Sequence, residues 1–348
     1  MQDRRTEDRL AEYRGAIHIH TRFSDGSGGM EDVVAAARRA GLDFIVVTDH
    51  DTLAAKDEGW EGWHDGVLVI AGVEISPIGP GHCLAWDVRD CKGYRDRPAS
   101  EYLAAIKAQG GLAIPAHPQG KTIPLSSRRM EAWTEWGVDS FAGIEVWSYM
   151  QNWMDGLSVW NLWRAIRRPE ERIAGPGRQM LRQWDALGRH RRVVGLAGLD
   201  AHARRLPFTW IRIFSYEYLF RTLRTHILSP PFTHQIEEDK AALRRAIELG
   251  RCFMANDLLA DSTGFVFRGR KANGSLIPMG SETSWEPGVR IEIASPRRAT
   301  LDLVRNSGTL SSDEASALDD PAPGPGVYRA EASLNGMPWI FSNPIYLR

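Results

Sequence analysis

Cysteine is scarce in this chain. Its 348 residues include only Cys83, Cys91 and Cys252, and no two of them form a Cys-x-x-Cys pair. So few cysteines, in an odd number, argue against a disulfide framework and against a zinc site built from thiolates. The same scarcity fits a reducing compartment, and we expect a cytoplasmic location.

Long apolar runs and an excess of one charge are also lacking. No stretch reaches the roughly 18 apolar residues of a membrane span, and the charged first residues lack the apolar core of a signal peptide. The formal net charge of −1 gives no electrostatic reason to expect binding to a membrane surface or to long nucleic acid. We therefore expect neither as a partner.

The first two hundred residues alternate short apolar runs with helical patterns, which is typical of parallel βαβ units. The continuous apolar runs suit strands buried on both faces, and polar residues end each run, which favours a barrel with its chemistry at the strand ends. The sequence predicts helices over 30–40, ending at Gly41, and over 98–109. It predicts strands over 15–20, 44–48, 67–75, 112–116, 141–147 and 193–199.

Tryptophan is concentrated between residues 133 and 184. The seven in this segment are Trp133, Trp136, Trp147, Trp153, Trp160, Trp163 and Trp184. Two interpretations are open. The segment is a helical insertion that packs on the barrel, or it is a lid whose rings line a substrate pocket.

The character of the chain changes after about residue 235. One helix is predicted over 239–249, and several β-like runs separated by Gly, Pro and Ser follow it, with a loop over 319–326. We therefore predict a barrel domain over 1–235, with the tryptophan-rich insertion at about 133–184. A helix and a β-sandwich-like domain are predicted over 236–348.

Histidines and carboxylates recur where the predicted strands of the first domain end. In His18-Ile-His20 both imidazoles share one face of a strand, because side chains alternate along it. The candidate metal ligands are His18, His20, Asp25, His50, Glu74, His82, His117, Asp200 and His202. Imidazoles mixed with carboxylates suit zinc, manganese or iron. We therefore predict a site for two to three divalent ions.

Other polar residues near these positions receive different predictions. Asp49 and Asp51 flank His50 and are predicted to accept hydrogen bonds rather than to bind metal. Glu145, at another strand end, is predicted to support a metal-binding histidine or to contact substrate. Four further histidines lie in polar surroundings and are predicted to be surface residues: His64, His190, His226 and His234.

The ordered set from His18-x-His20 to Asp200-x-His202 resembles the ligand signature of the PHP (polymerase and histidinol phosphatase) family. The C-terminal segment Trp339–Tyr346 and the Arg-Ala-Ile-Glu-Leu-Gly-Arg-Cys-Phe unit resemble the CehA/McbA-like subfamily. The resemblance implies a distorted (β/α)7 barrel with an appended β-domain.

The same resemblance implies three metal positions. His18, His20, Glu74 and Asp200 would hold the first ion. Glu74 would bridge to a second ion held with His82 and His117, and a third ion would be bound by Asp25, His50 and His202. Some branches of the family carry histidine where this chain has Asp25, which leaves the identity of the third metal open.

Such a site favours hydrolysis of an anionic substrate. Three divalent ions exceed the charge of the three carboxylates, so the site attracts phosphate oxygens, and water shared by two ions has a lowered pKa. We predict a phosphoesterase acting on a small phosphorylated substrate. The residues predicted to take part in catalysis are Glu74, Asp200, His202, Arg204 and Arg205. The two arginines are expected to bind phosphate.

Two alternatives stay open. The same metal site could attack a carbonyl carbon, as in a carbamate or aryl ester hydrolase, which the subfamily resemblance includes. A purely structural metal site is the third class. It is disfavoured because structural sites saturate their ligands, whereas about three ligands per ion leave open positions.

Overall fold

The computed structural model describes residues 10–122, 129–204 and 213–348. Within these residues the chain forms two compact units. The first, which we call the site unit, consists of Arg14–Ala174 and Ala197–Arg224. The second, the sheet unit, consists of 10–13, Gly175–Leu196 and Thr225–Arg348. The fold is mixed α/β, as the sequence predicts.

Strands and short helices alternate through the first half of the chain. In order they are β1 (Ala11–Ile19), α1 (Met30–Ala40), β2 (Phe44–Val47), α2 (Ala54–Asp57), β3 (Gly62–His64), β4 (Val67–Ala71), β5 (Val73–Ile75), β6 (His82–Trp86), α3 (Ala99–Ala108), β7 (Leu112–Ala116), β8 (Lys121–Thr122), β9 (Arg129–Met130), β10 (Gly143–Ser148), α4 (Tyr149–Met154), α5 (Leu162–Arg167) and a 3-10 turn at Pro169–Arg172.

The second half is dominated by strands. Its elements are α6 (Arg178–Gly188), β11 (Val194–Gly198), α7 (Tyr216–Phe220), β12 (Leu223–Ser229), α8 (Ile236–Glu248), β13 (Cys252–Asn256), β14 (Val266–Arg270), β15 (Leu276–Pro278), β16 (Glu282–Thr283), β17 (Arg290–Arg305), β18 (Gly308–Pro321), β19 (Gly326–Leu334), β20 (Met337–Ser342) and β21 (Ile345–Leu347). None of the helices in the described residues is both long enough and apolar enough to cross a bilayer.

The first strands of the site unit pair in parallel, which confirms the prediction for this part of the chain. β1 pairs with β2, and β2 pairs with β4. Every residue of β2 and β4 is buried, as expected of parallel strands covered on both faces. Helix α1 has the predicted bounds and ends at Gly41, whose φ of 70° places it in the left-handed region that glycine favours.

The prediction of one strand over 67–75 is wrong, and the strands that follow do not all pair in parallel. The strand breaks at Gly72, where a Cβ atom would lie 2.5 Å from the carbonyl oxygen of Ala85. β5 then pairs antiparallel with β6, and β6 pairs antiparallel with β7. This close backbone approach requires glycine and redirects the chain into a second, three-stranded sheet.

The tryptophan-rich segment is partly helical but is not one insertion. Trp153 in α4 is buried, and its indole Nε1 donates to the carbonyl of Ala165 in α5 at 2.9 Å. Trp160 and Trp163 are 93% and 55% exposed. Trp184 lies in α6, which belongs to the sheet unit. The helical interpretation therefore holds for 149–172 and not for the whole predicted range.

The sheet unit consists mainly of antiparallel strands in the order β15-β14-β17-β19-β20-β13-β12, and β18 pairs with β17. Two of the β-like runs predicted in this region, 289–295 and 300–305, fall together in the single strand β17, whose register with β18 shifts between Ala294 and Ala299. The predicted loop over 319–326 is shorter than expected, because β18 extends to Pro321. Side chains such as Phe253, Leu301 and Trp339 form the buried core.

The two units do not coincide with the ranges predicted on either side of residue 235. Helix α6 belongs to the sheet unit, where Asp185 forms a buried ion pair with Arg329. In β11, the Gly195 backbone N–H donates to Asn343 Oδ1 at 2.7 Å, and Asn343 Nδ2 donates to the Gly195 carbonyl at 2.9 Å. These contacts join segments that are far apart in sequence, so no single domain boundary near residue 235 separates the two units.

The prediction that His226 lies on the surface is wrong. β12 was not predicted, and it buries the ring completely against Phe253 at a centroid distance of 4.6 Å. Imidazole Nδ1 lies 2.6 Å from a Glu12 oxygen, and Nε2 lies 3.0 Å from Asp257 Oδ2. Burial alone would lower the pKa of His226, but its hydrogen bonds to these two carboxylates raise it.

The raised pKa predicts how stability depends on pH. A group with a higher pKa in the folded state stabilises the fold fully below its unfolded value of about 6.5, and this stabilisation is lost as pH rises through the folded pKa. We expect urea titrations of the wild type to show this loss on the alkaline side, and His226→Gln to lack it. Parallel pH profiles for the two proteins would contradict the prediction.

Candidate metal centre

The candidate ligands stand at the ends of neighbouring strands of the site unit, and three of them sit on unusual backbone. His18, His117 and Asp200 have φ values of 70°, 29° and 53°. Residues other than glycine rarely adopt positive φ, and such strain clusters at functional sites. At His18 it accompanies a register shift between Ile17 and Ile19, where β1 pairs with β2.

The first cluster gathers four side chains around one point. Glu74 Oε2 lies 3.1 Å from Nε2 of both His18 and His20. Asp200 Oδ1 lies 3.6 and 3.3 Å from the same two nitrogens. The two Nε2 atoms and Glu74 Oε2 are buried without a hydrogen-bond partner. Buried polar atoms without partners are costly, and a cation among them would satisfy all at once.

The second cluster uses the other oxygen of Glu74. Oε1 lies 2.8 Å from His82 Nδ1 and 3.0 Å from His117 Nε2. Glu74 thus presents one oxygen to each of two clusters, which is the geometry of a bridging carboxylate. The β5–β6 hairpin places His82 opposite Ala116, at the end of β7.

The third cluster surrounds Asp25. Its Oδ1 lies 2.9 Å from His202 Nε2, 3.7 Å from His50 Nε2 and 3.9 Å from His20 Nδ1. A neutral imidazole has only one lone pair, and the shorter contacts of His20 Nε2 assign that lone pair to the first cluster. His50 Nδ1 lies 2.6 Å from the Ser76 hydroxyl, which leaves Nε2 for the third cluster. Asp25, His50 and His202 therefore form this group.

The pKa shifts show that the centre attracts positive charge. Burial alone would lower the pKa of His18 and His20, but nearby carboxylates raise both, that of His20 to about 9. Burial alone would raise the pKa of Glu74, yet His18 and His82 hold it well below its usual range. Metal ligands bind in their deprotonated forms, so divalent cations can replace these protons. The residues present therefore fit divalent metal ions.

His50 differs from its neighbours because burial dominates its titration. Desolvation lowers the pKa of His50 to about 4, despite the opposing effect of Glu74. The imidazole is therefore neutral at physiological pH. A neutral imidazole can bind a metal ion through its lone pair without first losing a proton, and metal binding requires this neutral state.

The two predicted arginines have different outcomes. Arg204 lies at the pocket, 49% exposed, and its guanidinium pairs with Asp25 Oδ2. Burial would raise the pKa of Asp25, but His202 and Arg204 hold it far below its usual range. Arg205 lies outside the described residues.

Asp49 and Asp51 accept hydrogen bonds, as predicted. Asp49 accepts from the Thr21 backbone at 2.7 Å and from the Ser24 hydroxyl at 2.6 Å, which fixes the loop that carries Asp25. Asp51 Oδ1 accepts from the Ser76 backbone at 2.9 Å. Sequence reasoning did not find Ser76, although its position two residues after Glu74 places it on the same side of the chain.

Glu145 supports the first cluster from behind. The buried carboxylate lies 2.7 Å from His18 Nδ1, so it accepts that proton and leaves Nε2 facing the cluster. The Glu145 side chain fits in this position because residue 198 is glycine: a Cβ atom on Gly198 would come within 2.3 Å of the Glu145 carboxyl carbon. Carboxylates in this position orient metal-binding histidines and increase their basicity.

We expect Glu145→Leu to weaken binding of the first metal by roughly 10- to 100-fold, because the leucine cannot hold His18 in the required tautomer. Titration of Mn²⁺ into the metal-free protein, followed by calorimetry, measures this. Glu145→Gln keeps an acceptor oxygen and should lose less. Equal affinities in the wild type and Glu145→Leu would refute the role.

The centre opens into a pocket of about 490 Å³. Candidate ligands and Arg204 form one part of its wall. The other described lining residues are Met150, Met154, Ala203, Ile213, Phe214 and Leu219. None of the seven tryptophans of 133–184, all of which are described, lines it. The interpretation of that segment as a lid of tryptophan rings over this pocket is therefore wrong.

Comparison with known proteins finds a match to the PHP domain over part of the chain. Residues 16–120 match the family model of the PHP domain. A phosphoribosyl 1,2-cyclic phosphate 1,2-diphosphodiesterase of Eggerthella lenta is 38% identical over 61 residues, which is 17% of this chain and 23% of that relative. The match thus spans less than a quarter of the relative's length.

Solved structures resemble the chain at lower identity. A two-domain protein of Bacteroides vulgatus, described as containing a predicted PHP-like metal-dependent phosphoesterase, is 17% identical with a TM-score of 0.45, over 97% of this chain and 96% of that one. PsfC of Pseudomonas syringae is 14% identical with a TM-score of 0.39, over 65% of this chain and 87% of that one.

Proposed function

We propose that the chain is a metal-dependent phosphoesterase that hydrolyses a small phosphorylated substrate. The observation that carries the proposal is Glu74, whose two buried oxygens face two different groups of histidines. The PHP match over 16–120 and the name of the Eggerthella lenta relative support the same chemistry. We also propose that the chain forms a distorted (β/α)7 barrel and that it belongs to the CehA/McbA-like subfamily.

The chain's residues would hold up to three divalent ions. His18, His20 and Asp200 would hold the first with Glu74, His82 and His117 the second with Glu74, and Asp25, His50 and His202 the third. Zinc, manganese and iron fit this mixture of imidazole and carboxylate. When bound, such ions activate water and stabilise charge on phosphoryl oxygens.

The remaining charge determines which substrates the centre attracts. Three divalent ions would bring six positive charges, whereas Asp25, Glu74 and Asp200 return three, so the pocket favours an anion. Arg204 stands beside Asp25 at the pocket and is positioned to bind a phosphoryl oxygen. Asp200 and His202 would act as metal ligands in the first and third clusters. We propose that Arg205 also binds the anionic substrate.

The test measures metal content and turnover together. Wild type and His50→Ala are loaded with Mn²⁺, their metal is counted by elemental analysis, and p-nitrophenyl phosphate is compared with p-nitrophenyl acetate and an aryl carbamate. We expect phosphate turnover that falls, together with about one ion per chain, in His50→Ala. Turnover of the acetate or carbamate alone would reject the phosphoesterase.

One observation favours the second candidate, a carbamate or aryl ester hydrolase. The pocket wall opposite the ligands is apolar, with Met150, Met154 and Phe214 among its residues. An uncharged carbamate or aryl ester, which has no phosphoryl group, would pack well against such an apolar wall. The three-substrate comparison above decides between the two functions.

A further inference from the structure

The pocket at the metal centre has two chemically different sides. On one side lie the candidate ligands and Arg204, whose charge is already paired with Asp25. On the other side α4 contributes Met150 and Met154, and the chain around α7 contributes Ile213, Phe214 and Leu219. Within the part of the chain that the structure describes, this second side offers a bound molecule no polar side chain.

Phe214 is held firmly within that apolar side. Tyr149 and Trp153 meet its ring edge-on, with centroids at 5.7 and 5.1 Å and interplanar angles of 89° and 90°. Tyr218 stacks against it at 5.6 Å and 26°. Three aromatic neighbours fix the orientation of the ring, which makes it a preorganised surface for a flat apolar group.

We infer that the substrate is a phosphoester whose alcohol part is an uncharged aromatic ring, which packs on Phe214 and the two methionines while the phosphoryl group faces the ligands. The inference rests on the proposed phosphoesterase function. A sugar or polyol in the same place would lose hydrogen bonds to water that the described wall cannot replace. Flexible methionines adapt to the outline of a ring.

The reaction then releases an aromatic alcohol. The oxygen of a water molecule forms a bond to phosphorus, and the bond from phosphorus to the alcohol oxygen breaks. The electron pair stays on that oxygen, which takes up the proton that the attacking water gives up, and the second product is phosphate or a phosphate monoester.

The experiment compares two monoesters with the same type of leaving group. Benzyl phosphate and glycerol 3-phosphate both release a primary alkoxide, so their kcat/KM ratio measures the fit of the alcohol part. We expect the Mn²⁺-loaded protein to prefer benzyl phosphate by about tenfold or more. Phe214→Ala, and Met150→Gln on a partly exposed position, are expected to reduce that ratio by about tenfold.

Trp160→Ala is the matched control, because it removes an exposed aromatic ring that does not line the pocket. It should leave the ratio unchanged. Circular dichroism of each variant establishes that it is folded. If the folded Phe214 and Met150 variants hydrolyse both esters with the wild-type ratio, or if adenosine 5′-phosphate is preferred to benzyl phosphate, the inference is wrong and the phosphoesterase stands.

A binding measurement separates this failure from that of the proposed function. Benzylphosphonate and 2-hydroxyethylphosphonate cannot be hydrolysed at the carbon–phosphorus bond, and calorimetry gives their Kd values without turnover. Tighter binding of benzylphosphonate that weakens in Phe214→Ala supports the aromatic subsite. If the phosphonates show this pattern and no phosphate ester is hydrolysed, the phosphoesterase is rejected and the apolar subsite is kept. Equal Kd values reject the subsite.

Discussion

Glu74→Gln is expected to empty the first and second metal positions while leaving the fold intact. The glutamine amide lacks the negative charge of the carboxylate, and its nitrogen is a donor where an acceptor oxygen stood. The carboxylate faces five histidines: His18, His20, His50, His82 and His117. Both the first and the second cluster lose their shared ligand. We expect the protein to lose about two ions and phosphoester turnover to fall by about a thousandfold or more.

Elemental analysis of the purified variant and steady-state kinetics with p-nitrophenyl phosphate measure these effects. Glu58→Gln is the matched control, since it makes the same substitution at an exposed position. Circular dichroism shows whether Glu74→Gln is folded. A folded variant with full metal content would mean that Glu74 is not a bridging ligand.

Arg329→Met is expected to lower the free energy of unfolding by about 3–5 kcal/mol, because it leaves a buried carboxylate without its partner. Arg329 Nε lies 2.9 Å from Asp185 Oδ1, and a second guanidinium nitrogen lies 3.2 Å from Oδ2. Both side chains are almost fully buried, and Glu331 pairs with the same guanidinium. Urea unfolding followed by circular dichroism measures the loss.

Two variants check this explanation. Arg290→Met removes an arginine paired with Asp319, where the side chains are 40% and 44% exposed, and it should cost at most about 1 kcal/mol. The double variant Arg329→Met with Asp185→Leu removes both charges and should recover part of the lost stability. A loss for Arg329→Met as small as for Arg290→Met would show that the buried pair does not stabilise the sheet unit.

The candidate ligands could be found from the sequence because their signal is local. His18 and His20 follow one apolar run, and His117 follows another, so each position could be read from the few residues around it. Parallel strands bring their ends to one edge, and this rule places separate runs together without knowledge of their packing. Helix α1 was predictable for the same reason, since both its apolar stripe and Gly41 are local features.

Other features depend on contacts between distant segments, and sequence patterns do not contain them. The break at Gly72 depends on the carbonyl of Ala85, and the burial of His226 depends on Glu12 and Asp257. The apolar side of the pocket joins α4 to residues around Phe214, which are ordinary core residues in their own segments. Apolar periodicity alone cannot distinguish a pocket wall from a core.

The positive φ values of His18, His117 and Asp200 link the folding of the chain to the supply of divalent metal ions. Each costs on the order of 1–3 kcal/mol in backbone strain, and the folded state alone bears that cost. An ion that binds only this arrangement compensates for the strain, with about 2.7 kcal/mol of stabilisation at a free concentration one hundred times Kd. The melting temperature of the protein would then vary with the free divalent metal around it, so that a cell low in that metal would hold less of the folded chain.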